Sequence, residues 1–295
     1  MWQYMRHPPE PSTSYAGSTG SAPRAIPFSE RLWNVAESRH SWVCLGLDVI
    51  LDQLPHDIPH TIEGAKVFLL NVIDAVVDDV AAFKPNLAFY LSLGSDGIQL
   101  LVDAVAHIDG RAVVILDGKF GDVPNTTMQY ANAAFDVIGA DAVTVDVYGG
   151  WDTVEPFLND PSRGVFVWTR SSNPGADDVQ SRRGDAMPVF EDVARQVHAR
   201  SEAGNVGAVV GATRAYDVRR VRDVAPSAPL LVPGVGAQGG DLEAVVQVGF
   251  GESPAGVVIN AGRSVIWASS DADYAHAASG AVRVIRDRIS AARST

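Results

Sequence analysis

Cysteine is almost absent. The 295-residue chain has one, Cys44, so no internal disulfide can form, and C-x-x-C is missing. That pattern suits a reducing, cytoplasmic setting. The seven histidines (7, 40, 56, 60, 107, 198 and 276) show no metal-ligand spacing and H-E-x-x-H does not occur, so no metal is expected. No apolar run approaches the roughly 20 residues that cross a bilayer, and MWQYMRHPPEP at the N-terminus has no signal-peptide core. Basic residues are in deficit: 23 Lys and Arg against 35 Asp and Glu give a net charge of −12. Such a field repels phosphate backbones, so nucleic acid is not an expected partner. Any anionic small molecule must be held by a local cluster of donors. Charged residues make up only 20% of the chain and apolar ones 46%, which excludes disorder as the main state.

Residues 8–24 (PPEPSTSYAGSTGSAPR) are crowded with Pro, Ser, Gly and Thr. They bury too little apolar area to offset ordering entropy, so residues 1–27 read as a flexible tail before a single domain over 28–295. From Phe28 onward, short apolar runs alternate with longer amphipathic stretches. The runs are 42–47, 79–83, 112–116, 141–145, 164–168, 206–210, 229–232 and 256–259. They are continuous rather than alternating, as strands covered on both faces should be. Helix-like segments lie at 61–78, 95–107, 124–138, 187–202, 214–223, 240–248 and 273–290. Eight strand–helix repeats predict an α/β protein of the (β/α)₈ TIM-barrel class, with a doubly wound open sheet as the alternative. The longest irregular stretch, 172–186, reads either as an active-site lid or as a surface loop.

In a (β/α)₈ barrel the chemistry collects where strands end. Those positions read Asp48, Lys84, Asp117 with Lys119, Asp146, Ser172 with Asn173, Thr213, Gln238 and Arg263. Buried charges at the first four ends must neutralise one another or a ligand, because an unpaired buried charge is costly. The densest group is LDGKFGDVPNTT (116–127). Asp117 and Lys119, two apart on extended chain, are expected to project to the same side. With Lys84 and Asp122 they are expected to form an alternating network of zero net charge. At about 4 Å and an effective dielectric near 20, each such contact is worth roughly 4 kcal/mol before desolvation. The network would keep Lys119 protonated as a general acid; a purely structural ion cluster is the other reading. A second group, LLVPGVGAQGGD (230–241), holds glycines 234, 236 and 239 in G-x-G-x-x-G spacing. Because it follows the seventh strand rather than the first, it fits a phosphate monoester better than a dinucleotide, with backbone N–H groups near Gly239 facing the anion. Arg263 would add a full charge. Tight turns alone would also account for these glycines.

At these motifs the chain resembles the orotidine 5′-monophosphate decarboxylase family over nearly all of 28–292. The family's D-x-K-x-x-D-[IV] signature is present as Asp117, Lys119, Asp122 and Val123, followed by Pro124, Asn125 and Thr126. CLGLD (44–48), FKPNLAFY (83–90), SNPGA (172–176), VVGAT (209–213) and PGVGAQGGD (233–241) are similar to its long-form bacterial branch. The resemblance implies cofactor-independent conversion of OMP to UMP, with Lys119 protonating C6 as carbon dioxide leaves. Asp117 and Asp122 would crowd the substrate carboxylate. Lys84 would bridge Asp117 and the ribose, and Asp48 would bind a ribose hydroxyl. Ser172, with Asn173 beside it, would meet the pyrimidine edge; Gln238, Gly239 and Arg263 would take the phosphate. It also implies a homodimer in which Asp122 and Thr126 reach the neighbouring subunit's site.

Four positions depart from the family pattern. Asp146 in TVDVYGG brings an extra carboxylate, Leu91 replaces a usual Glu, and Gly118 and Gly262 are smaller than usual. They leave open a paralogue acting on a modified pyrimidine or C-nucleoside monophosphate. A nucleotide-binding sensor or resistance protein without turnover is the non-enzymatic alternative.

Overall fold

A strand covered on both faces needs no polar side, and the apolar runs become strands of that kind. The computed structural model describes residues 26–182, 187–235, 241–250 and 256–294. Within them, β1 (Val43–Gly46), β2 (Ala82–Lys84), β3 (Val113–Phe120), β4 (Ala142–Val145), β5 (Gly164–Arg170), β6 (Val206–Val210), β7 (Leu230–Pro233) and β8 (Val257–Ala261) pair in parallel, in chain order, into a closed barrel. β8 returns to β1 with Cys44 opposite Asn260. The barrel is the expected one, and closure disposes of the open-sheet alternative. The single-layer sheet is wrapped by α2 (Ile62–Val76), α4 (Gly94–Ile108), α5 (Pro124–Asn132), α6 (Val189–Arg200), α7 (Ala215–Val224), α8 (Leu242–Gly249) and α10 (Tyr274–Arg293), with short helices α3 (Leu87–Leu91) and α9 (Arg263–Ile266) at strand ends.

Local sequence sets the helix starts. Thr61 Oγ1 accepts from the Gly64 amide at 3.2 Å, Asn86 Oδ1 from Ala88 at 3.1 Å and Asp241 Oδ1 from Ala244 at 3.0 Å. Each is an N-cap of the type these residues favour. Pro124 opens α5, where its missing N–H costs nothing.

Three elements differ from expectation. A helix, α1 (Phe28–Ser38), precedes the first strand and closes the N-terminal end of the barrel. The Phe28 amide bonds Pro161 O and its ring meets Phe166 edge-on at 5.8 Å. β2 begins three residues later than expected, because Val77–Asp79 forms a 3₁₀ turn; Lys84 is therefore inside the strand rather than after it. The predicted 124–138 helix is α-helical only to Asn132 and continues as a π turn over Ala133–Val137. Segment 172–182 folds around a 3₁₀ turn, Pro174–Asp178, whose Ala176 is buried. Residues 1–25 of the predicted tail and 183–186 of the predicted lid lie outside the described residues.

Two bulges shape the mouth of the barrel. Pairing slips between Leu116 and Phe120 on β3, and between Trp168 and Arg170 on β5. Both lie at the C-terminal end of the strands, where a bulge re-aims a side chain. No helix among the described residues is long and apolar enough to cross a membrane, and none of their His, Cys, Asp and Glu side chains gather into a group that could hold a metal ion.

Candidate active site

The β3 bulge carries the densest chemistry. Asp117 is 9% exposed and Lys84 4%. Lys84 Nζ donates to Asp117 Oδ2 at 2.8 Å, and Lys119 Nζ to Asp117 Oδ1 at 2.7 Å. The two side chains of β3 do meet, but not by plain strand alternation. Lys119 sits at φ +46°, in the left-handed region, and Gly118 lies so close to the Phe120 ring that an added Cβ would stand 2.4 Å from it. The strained backbone is held by Thr144 of β4. Its hydroxyl accepts from the Lys119 amide at 3.0 Å and donates to Asp117 Oδ1 at 2.8 Å. One carboxylate thus takes hydrogen bonds from two ammonium groups and a hydroxyl.

The electrostatics follow from this arrangement. Burial alone would raise the Asp117 carboxyl, but the Lys84 and Lys119 ammoniums outweigh it and hold the group well below the usual carboxylate range. Burial likewise opposes the Lys84 charge; Asp117 and then Asp48 overcome it and lift Lys84 above its ordinary value. Asp48 is shifted the other way: burial raises its carboxyl, and Lys84 compensates only in part. Asp48 Oδ1 is buried without a hydrogen-bond partner among the described residues. Beneath the cluster, burial pushes the Cys44 thiol up to about 12, so it is neutral and inert.

A cavity of about 180 Å³ opens over this cluster, lined by Lys84, Asp117, Lys119, Thr144, Trp168 and Ser172 among others. The Lys119 ammonium stands 5.6 Å from the centre of the Trp168 ring, a favourable cation–π contact. Trp168 and Ser171 also line a more apolar cavity of about 490 Å³. Arg170 and Ser172 border a third of about 230 Å³ with Asn173, Thr213 and Arg214. The 490 Å³ cavity alone falls in the size range of a small-ligand site.

Several sequence-predicted residues are brought together, and others are not. Lys84, Asp117, Lys119 and Ser172 share one cavity; Asn173 borders the two beside it. Asp122 does not join the network within one chain. It is exposed on the turn leaving β3, its Oδ1 accepts from the Val123 amide at 2.7 Å, and it has no ion pair among the described residues. The second carboxylate acting on Lys84 is Asp48, so the alternating Lys–Asp–Lys–Asp network expected from spacing is corrected on that point. The turn is pinned outward at Gly121, where an added Cβ would lie 2.7 Å from Asp146 O. Thr126 is half-buried in the first turn of α5, its amide bonding Val123 O. Arg263 is exposed at the start of α9, one residue beyond Gly262, which packs on Gly46 at the same barrel end. Gln238 and Gly239 lie outside the described residues. Thr144, Trp168 and Arg170 were not singled out from sequence; Thr144 and Trp168 lie within apolar runs and Arg170 just beyond one.

An ammonium fixed beside a buried carboxylate at the wall of a cavity can stabilise and protonate a developing carbanion. The profile of the family described as "Orotidine 5'-phosphate decarboxylase / HUMPS family" matches residues 41–278. An orotidine 5′-phosphate decarboxylase of Thermomicrobium roseum is 44% identical over 265 residues, covering 89% of this chain and 94% of that protein. One from Ralstonia nicotianae is 39% identical, covering 90% and 99%. Among solved structures, Leishmania donovani OMP decarboxylase superposes with a TM-score of 0.79 at 31% identity, covering 92% of this chain and all of that one.

Proposed function

Since the chain belongs to the orotidine 5′-phosphate decarboxylase / HUMPS family, we propose that it performs that chemistry with Lys119 as the proton donor. The enzyme decarboxylates orotidine 5′-monophosphate to UMP in pyrimidine biosynthesis. The bond from C6 of the pyrimidine to its carboxylate breaks, and carbon dioxide leaves. The electron pair stays on C6, and the Lys119 ammonium gives C6 a proton; the neutral amine regains one from solvent.

The observation that carries this reading is the pair of hydrogen bonds from Lys84 and Lys119 to the single carboxylate of Asp117. They fix the ammonium in place before the charge develops, so little reorganisation is needed at the moment of reaction. The substrate carboxylate, brought beside Asp117, meets a like charge that departure of carbon dioxide relieves. Lys84 and Asp48 take the ribose hydroxyls, Asp48 with its unpartnered buried oxygen as acceptor. Ser172 meets the base edge. Gln238, Gly239 and Arg263 take the phosphate, whose grip lowers the barrier remotely.

Asp122 and Thr126 act in the neighbouring subunit's site of a homodimer. Supporting this, Asp122 and Val123 are exposed on the turn leaving β3, and Met128, Tyr130 and Tyr148 are large side chains left exposed nearby in the chain. A cytoplasmic site of action accords with the lone buried thiol.

The residues that raised a different base are used locally. Asp146 Oδ1 accepts from the Tyr148 amide at 2.8 Å, Gly118 makes room for Phe120, and Leu91 is exposed. Asp146 also lines the larger cavity beside Trp168, so kcat/KM for orotidylate against base-modified analogues is the check on the base. The test follows the loss of orotidylate absorbance with purified protein and with Lys119→Ala. Turnover by the wild type that the variant lacks supports the assignment; no turnover, or undiminished turnover by the variant, overturns it.

A further inference from the structure

A second buried charge sits at the barrel mouth. Arg170, the last residue of β5, is 3% exposed and follows directly on the β5 bulge. Its Nε donates to Asp217 Oδ2 of α7 at 2.8 Å, and its Nη2 to Asp177 Oδ1 of the 174–178 turn at 2.6 Å. The guanidinium lies over the Phe190 ring of α6, 5.0 Å from its centre. Asp177 is gripped further by Ser181 at 2.5 Å and by Arg214 at 3.3 Å. One side chain therefore joins the segment after β5 to the two helices that come next.

Ser172 is two residues past Arg170 and lines the cavity of Lys84, Asp117 and Lys119. Its backbone presses on Gly211, where an added Cβ would stand 2.7 Å from the serine Cβ, and the Gly211 amide bonds Arg170 O at 2.8 Å. The Ser171 amide is tied in turn to Gln180 Oε1 at 2.9 Å. The Arg170 side chain thus anchors the turn that follows Ser172, and the Arg170 carbonyl ties the same stretch to Gly211. The fork is paired at Nε and Nη2, while Nη1 is buried without a partner among the described residues; a buried ion pair of this kind contributes more to fixing one arrangement than to net stability.

We propose that Arg170 is a positioning residue that, by bridging Asp177 and Asp217, holds Ser172 against the lysine-bearing cavity and so sets how the enzyme grips the pyrimidine base. This rests on the proposed role of Ser172 at the base edge. The experiment compares kcat/KM for orotidylate in Ser172→Ala, Arg170→Met, Arg170→Lys, Asp177→Asn and the Arg170→Met/Ser172→Ala double variant, with thermal unfolding of each. Loss of one hydrogen bond to the base predicts a drop of roughly tenfold for Ser172→Ala and for Arg170→Met. The double variant is expected to lose no more than Ser172→Ala alone. Arg170→Lys keeps the charge without the fork and recovers only part of the loss. Losses that multiply in the double variant overturn the proposal, as does wild-type kcat/KM in Arg170→Met. Should Arg170→Met fail to fold, Asp177→Asn decides: its side chain is 45% exposed, and an unchanged kcat/KM there is equally fatal. A wild type that does not consume orotidylate refutes the functional reading itself, before any variant is compared.

Discussion

Thr144→Val is the most informative single change to the cluster, because it alters hydrogen bonding with almost no change in shape. Thr144 is 1% exposed, and its hydroxyl both donates to Asp117 and accepts from the left-handed Lys119 backbone. Removing it deletes a bond to a carboxylate, worth about 1.5–3 kcal/mol, and leaves a partly buried N–H unpaired, costing about 1–3 kcal/mol. A net loss of about 3 kcal/mol is expected. For a domain of this size that lowers Tm by roughly 6–12 °C. Thr144→Ser keeps the hydroxyl and loses a methyl, which costs about 1 kcal/mol. Urea unfolding of both variants gives the comparison, and initial rates with orotidylate show whether Lys119 has lost its anchor. Expected is a kcat/KM roughly tenfold lower in Thr144→Val and near normal in Thr144→Ser. Equal stability and equal turnover for the two variants would refute the role given to the hydroxyl.

Acid sensitivity should trace to Asp117. Its folded carboxyl lies well below the unfolded value of about 3.9, so its contribution is present above that pH and lost as pH falls; between pH 6 and 3 the wild type should lose more unfolding free energy than Asp117→Asn, and parallel losses would contradict this. At the other end of the barrel, Arg222 is buried with no carboxylate partner among the described residues and donates to the carbonyls of Gly249, Ala225, Pro226, Ala228 and Gly256. Arg222→Met should cost about 3 kcal/mol while leaving kcat of the folded fraction unchanged; calorimetry beside an orotidylate assay checks both. If Asp122 serves the neighbouring site, mixing inactive Lys119→Ala with inactive Asp122→Ala protein should restore turnover through hybrid dimers, and a mixture that stays inactive would place Asp122 elsewhere.

Much of the barrel was legible because parallel strands buried on both faces leave uninterrupted apolar runs such as VVIL before Asp117 and VGAVV in β6. α1 escaped notice because it precedes the strand–helix alternation and follows a Pro-rich stretch. The start of β2 was misjudged because Val77 and Val80 are apolar whether the chain turns or extends. Within the site, the lysines and Asp117 stood out as charges closing apolar runs. The positive φ of Lys119 did not, since lysine seldom adopts it and only the Thr144 hydroxyl and the bulge make it tolerable here. Asp122 looked like a member of the same network because spacing along a chain says nothing of the turn at Gly121. Arg170 did not stand out, because its partners Asp177 and Asp217 are seven and 47 residues away in the chain.

In the proposed mechanism the Lys119 ammonium, held by Asp117, supports a carbanion at C6. Exchange of the C6 hydrogen of UMP with solvent in D₂O, followed by proton NMR with the protein present, isolates that step from loss of carbon dioxide. Wild-type protein should wash the C6 signal out well above the protein-free rate, while Lys119→Ala, still binding UMP and unfolding at a similar temperature, should not. Exchange at the wild-type rate in Lys119→Ala would contradict that role for the lysine.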